Sequence, residues 1–415
     1  MVKTIPRVAI PIGRKEIAIV MSRLLTGEDG SGEDVAKFEK ELGAYLGVKN
    51  IFTCNSGRTA LHVALRALEL KPGEEVVVPA YTCAIVFEVI LRLGLKPVFV
   101  DVDPKTYNID PKLISRCITP KTKVLIPIHL FGRPCEMNLI MEIAEKHGLY
   151  IIEDVAQALG AEYEKTKVGT FGDLAIFSFA VGKSMTSGEG GAVAVKNKEL
   201  IEAVSRAQIG LSKASVKWMF HVSENILAMK VFSNSLLFPL VKSYVAEGLN
   251  KKERRVVENC MSLERHGNNL PHNSTLTLAK MPPMSAKIAR VQLKKLDTFN
   301  TKRMMNAAKL TELLSGLHDS IDLPETNSHM KNTFTKYPIK LLRGSREKLI
   351  ARLARQGIDT DRPYHYLATL YESLRLNMSS TQMLAKCTLT VPNHMLLKAS
   401  DVNKIAEVLK RELKA

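Results

Sequence analysis

Between Asn50 and Val195 the chain alternates short β-rich apolar runs with helical patterns, and that alternation points to βαβ units on a mostly parallel sheet. The runs are EVVVPA from Glu75, KPVFVDVD from Lys96, KVLIPIHLFG from Lys123, LYIIEDVA from Leu149 and LAIFSFA from Leu174. Between them lie stretches such as Thr59 to Leu70 and Met137 to Gly148, whose apolar residues recur at three- and four-residue intervals. Such sheets bind ligands beyond the carboxyl ends of their strands, so the residues just after each run are the ones to search.

A different texture begins near Leu211. Trp218, Val222 and Ile226, then Phe232, Leu236, Leu240 and Tyr244, fall at helical spacing, interrupted by Pro239. A polar stretch from Arg265 to Thr275 and the turn MPPM at Met281 to Met284 follow. From Ser285 a long helical pattern, a β-like segment at Thr335 to Leu341 and two further helices suit a smaller α+β domain. The expected division is a large domain with its N-terminal segment over 1–212, a basic amphipathic insertion over 213–284 and a small C-terminal domain over 285–415.

The net charge of +17 favours acidic partners, and its excess is concentrated between Lys213 and Arg303, densest at Lys251, Lys252, Arg254 and Arg255. A solvated basic face accounts for it equally well. With no recognised motif or aromatic platform, nucleic acid is not an expected partner. No run of about 18 apolar residues and no signal-peptide pattern is visible, so the expected location is cytoplasmic. The six cysteines have no metal-ligand spacing and read as free thiols.

Three elements fall where a doubly wound sheet would place a ligand. Cys54 to Leu65 puts a Ser-Gly turn before a helix, where free backbone N–H groups and the helix dipole can hold a phosphate, or where Asn55-Ser56-Gly57 is simply a cap. Asp154 ends an apolar run. A carboxylate there can bind a metal, a ribose hydroxyl or a protonated pyridine nitrogen, or cap the next helix. Lys183 follows FSFAVG and precedes a Gly-rich turn, a setting for Schiff-base chemistry, although most lysines are solvated. Taken together, a phosphate cradle, an acid for a ring nitrogen and an amine for an aldehyde match the three handles of pyridoxal 5′-phosphate (PLP).

These residues sit in a longer pattern: LTGEDGSGEDVAKFEKELGAYLGVKN, NSGRTAL, PGEEVVVPAYTC, PIHLFGRP, IIEDVAQALGAEY, KVGTFGDLAIFSF and K-x-x-x-x-GEGG, then ARVQLKKLD, GIDTDRPYHY and LTVPNH. In this the chain resembles the DegT/DnrJ/EryC1/StrS family of PLP-dependent sugar aminotransferases. The resemblance implies a type I aminotransferase fold, usually a homodimer, and transfer of an amino group, with glutamate as the donor, to a nucleotide-linked keto-sugar in amino-sugar or surface-polysaccharide synthesis. It implies that Lys183 forms the Schiff base and shuttles protons. Asp154 would keep the pyridine nitrogen protonated, and Gln157 would lie near the ring's phenolic oxygen. Ser178, Gly57 and Arg58 would hold the phosphate, and Tyr81 would lie on the cofactor face.

The pattern also departs from the family. Arg58 stands where Thr is usual, and the Asn-Tyr-Arg-Met segment that reaches the partner subunit in relatives is not recognisable between Leu211 and Ser285. The insertion there has an apolar side in Trp218, Phe220, Ile226, Phe232, Leu236 and Phe238. Two expectations follow: peripheral contact with an anionic membrane, or packing onto the protein's own domains. The alternative functions are a sugar dehydratase, whose relatives carry His at the lysine position, and a PLP-binding regulatory or membrane-associated protein.

Overall fold

A computed structural model describes residues 4–9, 11–232 and 277–414. Its main sheet contains β1 (Asn50–Cys54), β2 (Glu75–Pro79), β3 (Lys96–Val100), β4 (Thr122–Leu125) and β5 (Tyr150–Asp154). After the short hairpin β6 (Glu162–Tyr163) and β7 (Thr166–Lys167), β8 (Leu174–Ser178) and β9 (Gly191–Val195) complete it. The order is β1-β9-β8-β5-β4-β2-β3. The neighbours β3, β2, β4, β5 and β8 pair in parallel, whereas β9 is antiparallel to both β8 and β1. The ends of β1, β5 and β8 therefore open on the same edge.

Helices cover both faces of this sheet, which is why its strands read as unbroken apolar runs. Alternate residues enter different cores: Val76, Val78, Ile152 and Ile176 pack on one side, and Val77, Ile151, Ala175 and Phe177 on the other. The five parallel strands are the five runs picked out by their sequence. The antiparallel β9 is the run that follows the Gly-rich turn.

The C-terminal part builds β10 (Ile321–Asp322), β11 (Met330–Lys331), β12 (Tyr337–Leu341) and β13 (Thr388–Val391). Strands β10, β12 and β13 form an antiparallel sheet, while β11 pairs with β6 of the main body. A separate core, including Leu310, Leu349, Leu353, Ile405 and Leu409, joins this sheet to its helices. Ile5 belongs to that core and bridges Ile358 in parallel. The chain around Ile5 thus packs on the C-terminal unit.

The first described part of the insertion forms a helix, Val216–Phe232. Met219, Val222, Ile226 and Met229 are buried against Ile12, Val20, Met284 and Ile288. Packing onto the protein's own body therefore accounts for this helix, although Phe220 remains 51% exposed. The Phe232 side chain, Leu236, Phe238 and Pro239 lie outside the described residues. No helix among the described residues is long and apolar enough to cross a membrane.

Candidate active site

Sheet register brings the first two elements together. Gly191 of β9 pairs with Cys54 on one side and with Ser178 on the other, so the turn after β1 lies beside the end of β8. The approach is close enough to require glycine. A Cβ on Gly57 would lie 2.7 Å from Ser178 Cβ, and one on Gly191 only 2.3 Å from the Ser56 carbonyl oxygen. Ser56 caps the Gly57–Ala67 helix, its hydroxyl accepting from the Thr59 N–H at 3.2 Å. Thr59 Oγ1 donates in turn to Asn55 Oδ1 at 2.6 Å.

The backbone N–H groups of Gly57 and Arg58 have no acceptor among the described residues, as expected in a first helical turn. Arg58 Nε is buried without a partner, and no described carboxylate pairs with its guanidinium. An unpaired cation in a first helical turn opposes the helix dipole. This arrangement calls for an anion. Ser56 thus caps the helix, and the Gly57 backbone lies directly against Ser178.

Asp154, 7% exposed at the end of β5, pairs in register with Ile176, two residues before Ser178. Its carbonyl accepts from the His129 N–H at 3.1 Å, and its carboxylate accepts from the Ala156 N–H at 2.9 Å. Lys183 lies on the loop leaving β8. That loop is tied by Phe179 N–H to the Gly190 carbonyl at 2.8 Å, by Ser187 N–H to the Phe179 carbonyl at 2.9 Å, and by Arg303 Nη2 to the Ser184 carbonyl at 3.1 Å. The Lys183 amine makes no hydrogen bond or ion pair with the described residues, yet Asp154 lies near enough for their charges to interact. Burial is the main cause that pushes the Lys183 amine below the usual lysine range, against the pull of Asp154. Burial likewise pushes the Asp154 carboxyl up, against the Ala156 N–H and the charge of Lys183. A readily deprotonated amine thus faces a carboxylate with few donors, as a lysine nucleophile and a ring-nitrogen partner require.

Gln157 joins two elements that are distant in sequence. Its Oε1 accepts from the Phe131 N–H at 3.2 Å, and its Nε2 donates to the Tyr364 oxygen at 2.8 Å. Tyr81 is different, and its expected place on the cofactor face is corrected. The ring is 1% exposed, its hydroxyl donates to the Pro363 carbonyl at 3.0 Å, and the Tyr364 ring meets it edge-on at 5.4 Å. No face is left for a ligand. The residue near Lys183 at this strand end is Cys83, a half-buried thiol two positions on.

Sequence reasoning also missed Glu153 and His129. Glu153 is fully buried and accepts from the N–H groups of Gly169, Phe171 and Gly172 at 2.7, 2.7 and 2.9 Å, and from His129 Nε2 at 3.1 Å. His129 Nδ1 accepts from the Cys135 N–H at 3.0 Å, so the ring's proton lies on Nε2 and the imidazole is neutral. This network anchors the peptide that holds Asp154.

The model for the DegT/DnrJ/EryC1/StrS aminotransferase family matches residues 12–230 and 247–410, and the chain belongs to that family. A UDP-N-acetyl-3-dehydro-alpha-D-glucosamine 3-aminotransferase from Acidithiobacillus ferrooxidans is 30% identical over 413 residues, covering 96% of each chain. GDP-perosamine synthase from Caulobacter vibrioides is 29% identical over 390 residues, 92% of this chain and 91% of that one. The solved structure of Streptomyces venezuelae DesV in complex with a ketimine intermediate has a TM-score of 0.73 at 26% identity, covering 99% of this chain and 100% of that one. The PLP form of a Streptococcus pneumoniae sugar aminotransferase shares the fold, with a TM-score of 0.76 at 24% identity and 99% of each chain covered. The chain is thus an aminotransferase with the α/β fold that the resemblance implied.

Proposed function

We propose that the protein uses PLP to move an amino group from glutamate to a keto-sugar carried on a nucleotide, acting as a homodimer in amino-sugar or polysaccharide synthesis. The observation that carries this reading is the charge interaction of a buried Lys183 amine with Asp154, on the same sheet edge where the Gly57 turn lies against Ser178. The names of the relatives from Acidithiobacillus ferrooxidans and Caulobacter vibrioides support a nucleotide-linked sugar as substrate class.

The residues present fit the cofactor. Its phosphate would meet Ser178, the N–H groups of Gly57 and Arg58 and the guanidinium of Arg58, a charge-assisted contact in place of the family's Thr. Its pyridine nitrogen would meet Asp154 and its phenolic oxygen Gln157. When bound, the cofactor supplies an aldehyde and an electron sink. Lys183, its amine pushed below the usual range, is the nucleophile toward that aldehyde and the base that carries a proton across one face of the substrate. Asp154 holds the ring nitrogen's proton by its charge.

The test is spectroscopic. Protein loaded with PLP should show a visible band that glutamate discharges and that one of a panel of keto-sugar nucleotides restores. A band that no amino donor discharges would favour the regulatory reading instead. Lys183 argues against the dehydratase. Light scattering checks the dimer.

A further inference from the structure

Tyr364 belongs to a row of aromatic rings, Tyr364, Tyr81, Tyr107 and Phe131, whose successive centroids lie 5.4, 6.1 and 5.3 Å apart. Three of the four have left-handed backbones, with φ of 52° at Tyr364, 65° at Tyr107 and 58° at Phe131. Aromatic residues adopt that conformation only where the surroundings impose it, and such positions cluster at functional sites. Gln157 closes the row by bonding both of its ends. A backbone N–H can only donate, so Oε1 must face Phe131 and Nε2 must face the Tyr364 oxygen. The amide nitrogen carries two hydrogens. One goes to Tyr364, and the other has no acceptor among the described residues.

We propose that Tyr364 is a positioning residue: by accepting one Nε2 hydrogen it locks the Gln157 amide so that the second hydrogen is held toward the phenolic oxygen of bound PLP. The proposal rests on the cofactor reading above. Without the Tyr364 oxygen, the terminal torsion of Gln157 has no fixed setting, because such sp3–sp2 torsions are broad. A donor at the phenolic oxygen favours its anion and lowers the pH at which the lysine-bound cofactor takes up its proton. Losing the lock should therefore raise that midpoint. The titratable groups facing Lys183 include Asp154, Cys83, Lys336 and Glu189, and those facing Tyr364 include Cys83, Asp154 and Asp361. Removing one phenol oxygen leaves all of them in place.

The experiment titrates the visible band of the PLP-loaded protein. Tyr364→Phe keeps the ring and should move the midpoint up by about 0.5 to 1 pH unit, the scale of one hydrogen bond. Gln157→Leu should move it at least as far, and adding Tyr364→Phe to Gln157→Leu should move it no further, since residues that act through one another are not additive. Tyr371→Phe removes a buried phenol of the same core, whose hydroxyl donates to the Ala80 carbonyl, and should leave the midpoint in place. If Tyr364→Phe does not fold, Gln157→Glu offers an acceptor where Nε2 donates and should also raise the midpoint. An unmoved midpoint in Tyr364→Phe or Gln157→Glu, or additive shifts, would overturn the proposal. A wild type with no visible band would overturn the cofactor reading itself, and this proposal with it.

Discussion

Glu153 and Asp154 are consecutive carboxylates on one strand, both buried, and they face opposite sides of the sheet. Glu153 accepts four hydrogen bonds, three from backbone N–H groups and one from a neutral imidazole. Asp154's carboxylate accepts one from the described residues and also interacts with the charge of Lys183. Burying a carboxylate is costly unless donors replace water. On the Glu153 side the fold supplies them all and the group is structural. On the Asp154 side they are withheld, so that the site keeps a free acceptor and a free amine for a ligand.

The largest effect expected from this contrast is at Lys183. Lys183→Ala should abolish the visible band of the PLP-loaded protein and all amino transfer, measured by absorbance and by product formation. A variant retaining both would remove Lys183 from the chemistry. Next is Asp154→Asn, which should fold and bind PLP but lose several orders of magnitude in turnover, because a neutral amide does not hold the ring nitrogen's proton. Near-normal turnover would place Asp154 with Glu153 as a structural carboxylate.

Glu153→Gln should show the reverse pattern, a loss of stability instead of chemistry. A glutamine presents one oxygen and an NH2 group to four donors, so backbone N–H groups are left unpaired at about 1–3 kcal/mol each, and a loss of about 3 kcal/mol in urea unfolding is expected. A loss under about 1 kcal/mol would mean that water replaces the missing acceptor. The fourth effect is smaller. Arg58→Ala removes a charge-assisted contact and should weaken PLP binding about tenfold, a figure set by one such bond at about 1.5 kcal/mol. Unchanged affinity would return the Asn55-Ser56-Gly57 turn to the role of a helix cap alone.

The parallel strands were legible because each is a compact apolar run between helical patterns, whereas Asp154 and Lys183 are ambiguous by local pattern and take their expected roles from the family resemblance. Tyr81 misled because spacing along a strand end does not tell which residue turns toward the sheet's open edge. The structure turns Tyr81 into the core and leaves Cys83 near Lys183. Tyr364 is not singled out by local pattern, since its bond to Gln157 spans 207 positions and no periodicity reports such a contact. Glu153 is the residue before Asp154 on the same run, and nothing local marks its role. Its donors lie in the VGTFG stretch that precedes β8, and only the fold brings them together. The membrane expectation for the insertion falls mostly outside the described residues. Flotation with anionic vesicles at low and high salt remains its test.

The contrast can be sharpened a last time without the cofactor, through the pH dependence of stability. Asp154's folded pKa is raised, so the folded state holds a proton that the unfolded chain has released, and stability falls as pH rises through that window. Lys183's folded pKa is lowered, so the unfolded chain binds a proton that the folded state resists, and its cost is full below the folded value and fades as pH climbs from there toward the unfolded one. Between the folded values of the two groups both costs act at once. Removing either group alone also strips the other of its counter-charge, which blurs the sign. The double variant Asp154→Asn with Lys183→Met removes both costs. It should make the cofactor-free protein more stable by about 1 kcal/mol at pH 7, the scale usual when a functional site is neutralised. Toward acid pH, where Asp154 is protonated, the gain should shrink to the lysine's share, and toward alkaline pH to the carboxylate's. Thermal unfolding across pH reads this directly. A double variant less stable than the parent at pH 7 would show that Asp154 and Lys183 stabilise the empty fold, as Glu153 and His129 do on the other face of the strand.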